Sequence, residues 1–201
     1  MLDQSPILKQ VVQQVRGQVE PFLAQQDRWH DIQHVGRVVE FAKQINQIEG
    51  ADPFLIEVGA WLHQLHDPNL HKLKPILDGL RISATQRENL YEIVEQCRPN
   101  IISDQSSHEA RVVFDADAGD LMRPAGILRE ALCNYGDRSQ SPFDAISGAR
   151  SVQLLFVDKL QTEGGRQLFA ARIQDANNFW ESLQRDEETL SDILRLSPKP
   201  W

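Results

Sequence analysis

Apolar residues along this chain recur every three or four positions, which is the spacing of an amphipathic helix. In the first predicted helix, Pro6 to Leu23, the apolar face carries Ile7, Val11, Val15 and Val19. No segment shows the alternating, β-branched pattern bounded by turns that is typical of a strand. The pattern therefore predicts an all-α fold.

Capping residues and helix breakers mark the ends of the later helices. The predicted starts, each at a polar cap or a first-turn proline, lie near Asp31, at Asp52-Pro53, at Ser83, at Ser106-Ser107 and at Ser141-Pro142. The predicted breaks lie at Gly50, Pro68-Asn69, Arg98-Pro99, Pro124 with Gly126, and Gly164-Gly165. A loop containing His71 and Lys72 is expected after the third helix, and the last helix carries Leu168 to Leu183.

Length and composition favour one domain. The chain has 201 residues and a mass of 22.9 kDa, which suits one good core and not two large ones. We expect a single domain over residues 1–201, with a loosely held end from Arg195 to Trp201. The formal charge of −8 and the lack of a basic run disfavour an extended nucleic-acid surface.

The sequence also allows a prediction of where in the cell the protein is found. No apolar run approaches the roughly 20 residues of a membrane-spanning helix, and the segment from Met1 to Ser5 has no signal-peptide character. Cys97 and Cys133 are far apart, which favours buried free thiols over a disulfide framework or a cysteine zinc site. We expect a cytoplasmic protein with no membrane partner.

Histidines are concentrated in one part of the chain, since five of the six fall between positions 30 and 71. Imidazole and carboxylate groups that converge from several helices are a common way to build a metal site in a bundle. His30 and His34 are four residues apart and can project from one side of a helix start. His63 lies beside the buried face of its helix, where a hydrogen bond to a carbonyl or a metal ion would satisfy it equally well.

Two carboxylates follow an apolar segment in the sequence Phe114-Asp115-Ala116-Asp117. A carboxylate near a core must be paired, capped or bound to a cation. For Asp117, a solvated acid or a local cap fits the sequence as well as a functional role does.

Three segments, in order, resemble the motifs of HD-domain metal-dependent phosphohydrolases. His34-Val35-Gly36-Arg37-Val38 resembles the first motif, and Ala60-Trp61-Leu62-His63 resembles the approach to the signature His-Asp pair. Phe114-Asp115-Ala116-Asp117, followed by Asp120, resembles the late aspartate motif. The order and intervals are similar to those of a branch of small bacterial HD-domain hydrolases, over roughly residues 20 to 185.

The resemblance implies a helical bundle that holds one divalent metal ion, without distinguishing Mn, Mg, Fe, Ni or Zn. The ligands carried over by position are His34, His63, Asp115 and residue 64. Asp67 matches a position that some relatives use as a general acid toward the leaving group. The groups implied for a substrate pocket are His30, Arg37, His66, His71 and Lys72.

Residue 64 is a glutamine, where the family has its signature aspartate. Gln64 can offer a carbonyl oxygen but no negative charge. The site is therefore less anionic by one unit than the family's. We expect metal binding that is weak or absent.

Two functions follow from these expectations. The first is a phosphohydrolase that uses metal-activated water on a nucleotide or another small phosphomonoester. The alternative is a catalytically degenerate HD-fold protein that binds a ligand or a protein partner without hydrolysis. A purely structural protein explains the clustered histidines poorly, and the sequence does not indicate an oligomeric state.

Overall fold

Every regular element in the described part of the chain is helical, as the sequence predicted. The computed structural model describes residues 6–26 and 31–186. The α-helices are α1 (Pro6–Leu23), α2 (Ile32–Glu49), α3 (Pro53–Leu62), α4 (Leu70–Asp78), α5 (Ala84–Gln96), α6 (His108–Ala118), α7 (Pro124–Gly136), α8 (Pro142–Asp158) and α9 (Glu163–Arg185). A 3₁₀ turn, His63–Leu65, follows α3 directly.

The described residues divide into two compact units. The first contains α1 to α6 and the segment Lys159–Leu168, which begins α9. The second contains α7, α8 and the rest of α9, with a core of Ile127, Ala149, Ala176 and Trp180. A single domain over residues 1–201 stays a prediction, and the end from Arg195 to Trp201 lies outside the described residues.

Helix α3 is central to the first unit. Its residues 55–62 are all buried, and it packs against α1, α2, α5 and α6. A helix that is buried along most of its length is stable only when other helices surround it. This burial carries the end of α3, and the 3₁₀ turn after it, into the interior of the unit.

Local capping fixes where α2 begins. The Asp31 carboxylate accepts a hydrogen bond of 2.8 Å from the backbone N–H of His34, as an N-cap residue does. At the other end, Gly50 adopts a left-handed conformation with φ of 69°, which glycine tolerates without strain. The predicted helix is confirmed, and His34 is held in its first turn.

Two predicted interruptions lie inside helices. His71 and Lys72 belong to α4 and not to a loop, because a new helix begins at Leu70, two residues after Pro68. Pro124 opens α7 instead of breaking a helix, since proline in the first turn has no N–H to leave unpaired.

The predicted stop at Gly164-Gly165 is also replaced by a helix start. Helix α8 ends at Asp158, and both glycines lie in the first turn of α9. A Cβ atom added to Gly165 would lie 2.9 Å from Cγ of Asp115 and closer still to its Oδ2. Glycine is present here because α9 begins against α6, and not because a helix ends.

No helix within residues 6–26 and 31–186 has both the length and the apolar character that crossing a membrane requires.

Replacing Gly165 tests this close approach. We expect Gly165→Ala to lower the free energy of unfolding by about 2 kcal/mol, because the new methyl group must displace a buried, hydrogen-bonded carboxylate. Urea denaturation measures the change. Gly17 is the matched control: it lies in α1, and a Cβ atom added there would have nothing within 4 Å, so Gly17→Ala should raise stability by roughly 0.5–1 kcal/mol. Equal effects of the two substitutions would contradict the packing described here.

Candidate metal centre

Three side chains from different elements converge inside the first unit: His34 of α2, His63 of the 3₁₀ turn and Asp117 of α6. Their ligand atoms all lie within 4.8 Å of one another. Oδ1 of Asp117 is 3.2 Å from Nε2 of His34 and 3.7 Å from Nε2 of His63. Both histidines are buried, and Asp117 is partly exposed, so the cluster reaches the surface on the Asp117 side.

Hydrogen bonds from the opposite ring nitrogens orient both imidazoles. Nδ1 of His34 lies 2.8 Å from Oδ2 of Asp120, and Nδ1 of His63 donates to the carbonyl oxygen of Ala60 at 2.7 Å. A partner of this kind holds the proton on Nδ1 and leaves Nε2 available as a ligand. The Nε2 atoms of both rings therefore face the cluster, and each can bind a metal ion once it carries no proton.

Asp120 is a buried carboxylate that joins two residues of α2. Besides His34, it binds Arg37 through two hydrogen bonds of 2.9 Å, from Nε to Oδ1 and from Nη2 to Oδ2. A paired guanidinium compensates the cost of burying a carboxylate. Arg37, expected in the substrate pocket, thus supports His34 from behind, a role that the sequence did not reveal.

The side chain of Gln64 enters the cluster. Its Nε2 lies 2.8 Å from Nε2 of His63 and 3.3 Å from Nε2 of His34. The expectation that residue 64 accompanies the two histidines agrees with this geometry. An amide brings no charge to the site.

Asp115, the expected carboxylate ligand, lies elsewhere. Its Oδ1 accepts the backbone N–H of Gln161 at 2.8 Å, and its Oδ2 accepts the N–H and the hydroxyl of Thr162 at 2.8 and 2.6 Å. These bonds occupy Asp115 at the start of α9. Residues two apart on a helix project roughly 200° apart, so only one of Asp115 and Asp117 can face the histidines, and it is Asp117.

Burial and neighbouring charges shift the pKa values of both histidines of the cluster and of Asp115. Burial opposes a charge on His34, but hydrogen bonds and charge interactions with Asp117 and Asp120 outweigh it and raise the pKa. Burial lowers the pKa of His63 to about 4. Burial raises the pKa of Asp115 to about 6, although its hydrogen bonds with Thr162 and Gln161 act in the opposite direction.

Four of the other expected residues lie outside the three-residue cluster. The side chain of Asp67 is 70% exposed, with Oδ2 3.6 Å from Nη1 of Arg98. The ring of His66 contacts the carbonyl oxygen of Asp67, and that of His71 contacts the carbonyl oxygen of Pro68. The ammonium group of Lys72 lies 4.5 Å from the ring centroid of Phe22. His30 is outside the described residues.

The donors present suit a divalent metal ion. Two imidazole nitrogens, one carboxylate oxygen and one amide are ligand types that divalent transition metals accept. Asp117 is the one charged ligand among them, which leaves the set less anionic than a site with two carboxylates. The geometry therefore indicates a divalent metal site without identifying the metal.

Solved structures show which known fold this chain shares. The chain superposes on an HD-superfamily hydrolase from Bacillus thuringiensis with a TM-score of 0.68 and 22% identity, covering 90% of this chain and 96% of the other. The chain thus has the HD-domain fold, and the resemblance seen in the sequence is confirmed at the level of the fold.

A more specific likeness is to the YpgQ protein of Bacillus subtilis. The two sequences are 27% identical over 198 residues, which cover 89% of this chain and 94% of YpgQ. The crystal structure of YpgQ in complex with ADP superposes with a TM-score of 0.74 and 23% identity, covering 90% of this chain and 96% of that chain. No protein-family model matches the chain.

The two aspartates of α6 should respond differently to substitution. We expect Asp117→Ala to weaken Mn²⁺ binding by at least about tenfold, because it removes a ligand. Asp115→Ala should lower the free energy of unfolding by about 2–4 kcal/mol, because it leaves three donors unpaired in the interior. Calorimetric titration with Mn²⁺ and urea denaturation measure the two effects. Loss of Mn²⁺ binding in folded Asp115→Ala, with binding kept in Asp117→Ala, would reverse the assignment.

The raised pKa of His34 predicts a pH dependence in the metal-free protein. The unfolded chain binds this proton with a pKa near 6.5, so the stabilisation is complete below pH 6.5 and is lost as the pH rises through the higher folded pKa. His63, with a folded pKa of about 4, is neutral in the folded protein over this window, and its unfolded imidazole loses its remaining proton as the pH rises above 6.5. This adds a small rise in stability that is common to the natural protein and His34→Asn. We expect the free energy of unfolding of chelator-treated protein to fall above pH 6.5, and to fall less in His34→Asn. If the free energy of unfolding changes with pH equally in the two proteins, protonation of His34 does not stabilise the fold.

Proposed function

We propose that this protein is a metal-dependent phosphohydrolase that acts on a nucleotide or another small phosphomonoester. The observation that carries the proposal is the convergence of Nε2 of His34, Nε2 of His63 and Oδ1 of Asp117. Each imidazole already has a hydrogen-bond partner at Nδ1, and the carboxylate of Asp117 lies beside the second nitrogen of each ring, where a metal ion would bind. The HD-domain fold of a solved HD-superfamily hydrolase supports the same reaction class.

When bound, a divalent ion supplies Lewis acidity that neutralises phosphate charge and makes water more acidic. Asp120 and Ala60 hold the two imidazoles in the required orientation. Arg37 keeps the charge on Asp120 compensated. Asp67, 70% exposed and 3.6 Å from Nη1 of Arg98, is the candidate general acid, and it would have to hold a proton when substrate is bound to protonate the leaving oxygen.

Two observations support a small phosphorylated substrate. The structurally similar YpgQ was solved in complex with ADP, which makes a nucleotide the first substrate class to test. A formal charge of −8 disfavours a polyanion that needs a wide basic surface. A metal ion can provide the local positive field that a small phosphate needs.

The second candidate function is ligand binding without hydrolysis, and it depends on the neutral side chain of Gln64. Its amide nitrogen lies within hydrogen-bonding distance of His63, so the site is satisfied without an ion. The two functions differ in whether the natural glutamine permits turnover once the metal is saturating.

A phosphatase screen with substitutions in the cluster separates the two candidates. With saturating Mn²⁺ and a panel of nucleotides and small phosphomonoesters, we expect turnover by the natural protein and its loss in His63→Ala. Gln64→Asp should raise the activity by about tenfold or more at limiting Mn²⁺, because it restores a charged ligand. Gln18→Asp, on the exposed face of α1, controls for the added charge. Activity found in Gln64→Asp and absent from the natural protein would favour the degenerate function.

A further inference from the structure

We infer that Gln64 closes the metal-free centre with its own amide, so that the NH₂ group occupies the lone pairs that an ion would bind. This inference rests on the metal site of the proposed function and adds how entry to it is controlled. An ion enters only when Gln64 releases the imidazoles and turns its carbonyl oxygen toward the centre.

The contact with His63 carries the first step. Nδ1 of His63 gives its proton to the carbonyl oxygen of Ala60, so Nε2 presents a lone pair to the cluster. Nε2 of Gln64 lies 2.8 Å from that atom, which is an ordinary hydrogen-bond distance. The amide donates, and the imidazole accepts.

The opposite orientation of the amide fits only a loaded site. With nitrogen and oxygen exchanged, the carbonyl oxygen of Gln64 would stand opposite the lone pair of His63, with two acceptors facing each other. Only a cation between them makes that arrangement favourable. The orientation of one amide therefore differs between the metal-free and the metal-bound protein.

The same amide also faces the second histidine. Nε2 of Gln64 is 3.3 Å from Nε2 of His34, and Oδ1 of Asp117 is 3.2 Å from that nitrogen. The second hydrogen of the NH₂ group can point at Nε2 of His34 only when that nitrogen carries no proton of its own. The amide and an ion thus compete for Nε2 of His63, the ligand that the amide contacts at 2.8 Å.

This competition predicts which ions the centre accepts. Co²⁺, Ni²⁺ and Zn²⁺ bind imidazole strongly, whereas Mg²⁺ and Ca²⁺ depend on oxygen ligands and on their charge. Gln64 stands in place of a carboxylate, and the missing negative charge weakens the binding of Mg²⁺ and Ca²⁺ more than that of ions with a high affinity for imidazole. Displacing the amide costs every ion the same free energy, and only strong binding to imidazole offsets that cost. The centre should take an imidazole-binding transition ion and exclude Mg²⁺ and Ca²⁺.

Nuclear magnetic resonance tests the closed state directly. In ¹⁵N-labelled, chelator-treated protein, we expect a scalar coupling across the hydrogen bond between Nε2 of Gln64 and Nε2 of His63. Saturating Zn²⁺, which is diamagnetic, should abolish it. The coupling should be missing in Gln64→Glu, which has no side-chain amide nitrogen, and its loss assigns the signal to Gln64. Absence of the coupling in the metal-free protein, or its persistence with Zn²⁺ bound, overturns the inference.

Metal affinities test the selectivity. Chelator competition should show that the natural protein prefers Co²⁺ over Mg²⁺, and that Gln64→Asp narrows this preference by at least about tenfold. Gln64→Glu provides the same comparison if the aspartate variant does not fold, and Gln18→Asp should leave the ratio unchanged. An unchanged ratio in both folded position-64 variants overturns the role of Gln64 in selectivity.

Neither readout requires a substrate, so the inference and the proposed function can fail separately. A protein that shows the coupling and the Co²⁺ preference but hydrolyses no phosphate ester keeps the inference and loses the function. A protein that hydrolyses phosphate esters but lacks the coupling keeps the proposed function and loses the inference.

Discussion

The carboxylate of Asp120 binds two residues of α2 at once, and the geometry of the candidate centre depends on that interaction. One oxygen accepts from Nε of Arg37, and the other lies against both Nη2 of Arg37 and Nδ1 of His34. A buried carboxylate is costly unless it is paired. This pairing keeps α2 in register with the end of α6. It also sets the ring orientation of His34 and the nitrogen that His34 offers to the cluster.

The two faces of helix α6 have different roles, one structural and one at the candidate centre. One face carries Asp115, which accepts the free N–H groups at the start of α9 in the manner of an N-cap supplied from another helix. The other carries Asp117 toward the two histidines. Asp120, three residues beyond Asp117, lies on the side that faces α2. The late aspartate motif therefore contains one structural acid, one ligand candidate and one acid that positions a histidine.

The centre combines an HD-type arrangement with a neutral side chain at one position. His34, His63 and Asp117 keep the nitrogen and oxygen donors together, while Gln64 gives an amide that can donate as well as accept. A carboxylate at this position could only attract a cation, whereas the amide can also satisfy the imidazoles in its absence. The balance between these two states decides whether the centre is closed by the amide or holds an ion.

The sequence by itself determined the helical class, the bounds of α1 and the capped ends of α2, because hydrophobic period and capping are local properties. The order of the motifs also predicted that His34, His63 and Gln64 lie close together. It could not separate Asp115 from Asp117, since both follow the same apolar segment and only neighbouring helices decide which face meets which partner. The first turn of α9 at Gly164-Gly165 was hidden for the same reason: glycine is needed there for a close approach to Asp115, and such an approach exists only in the folded chain.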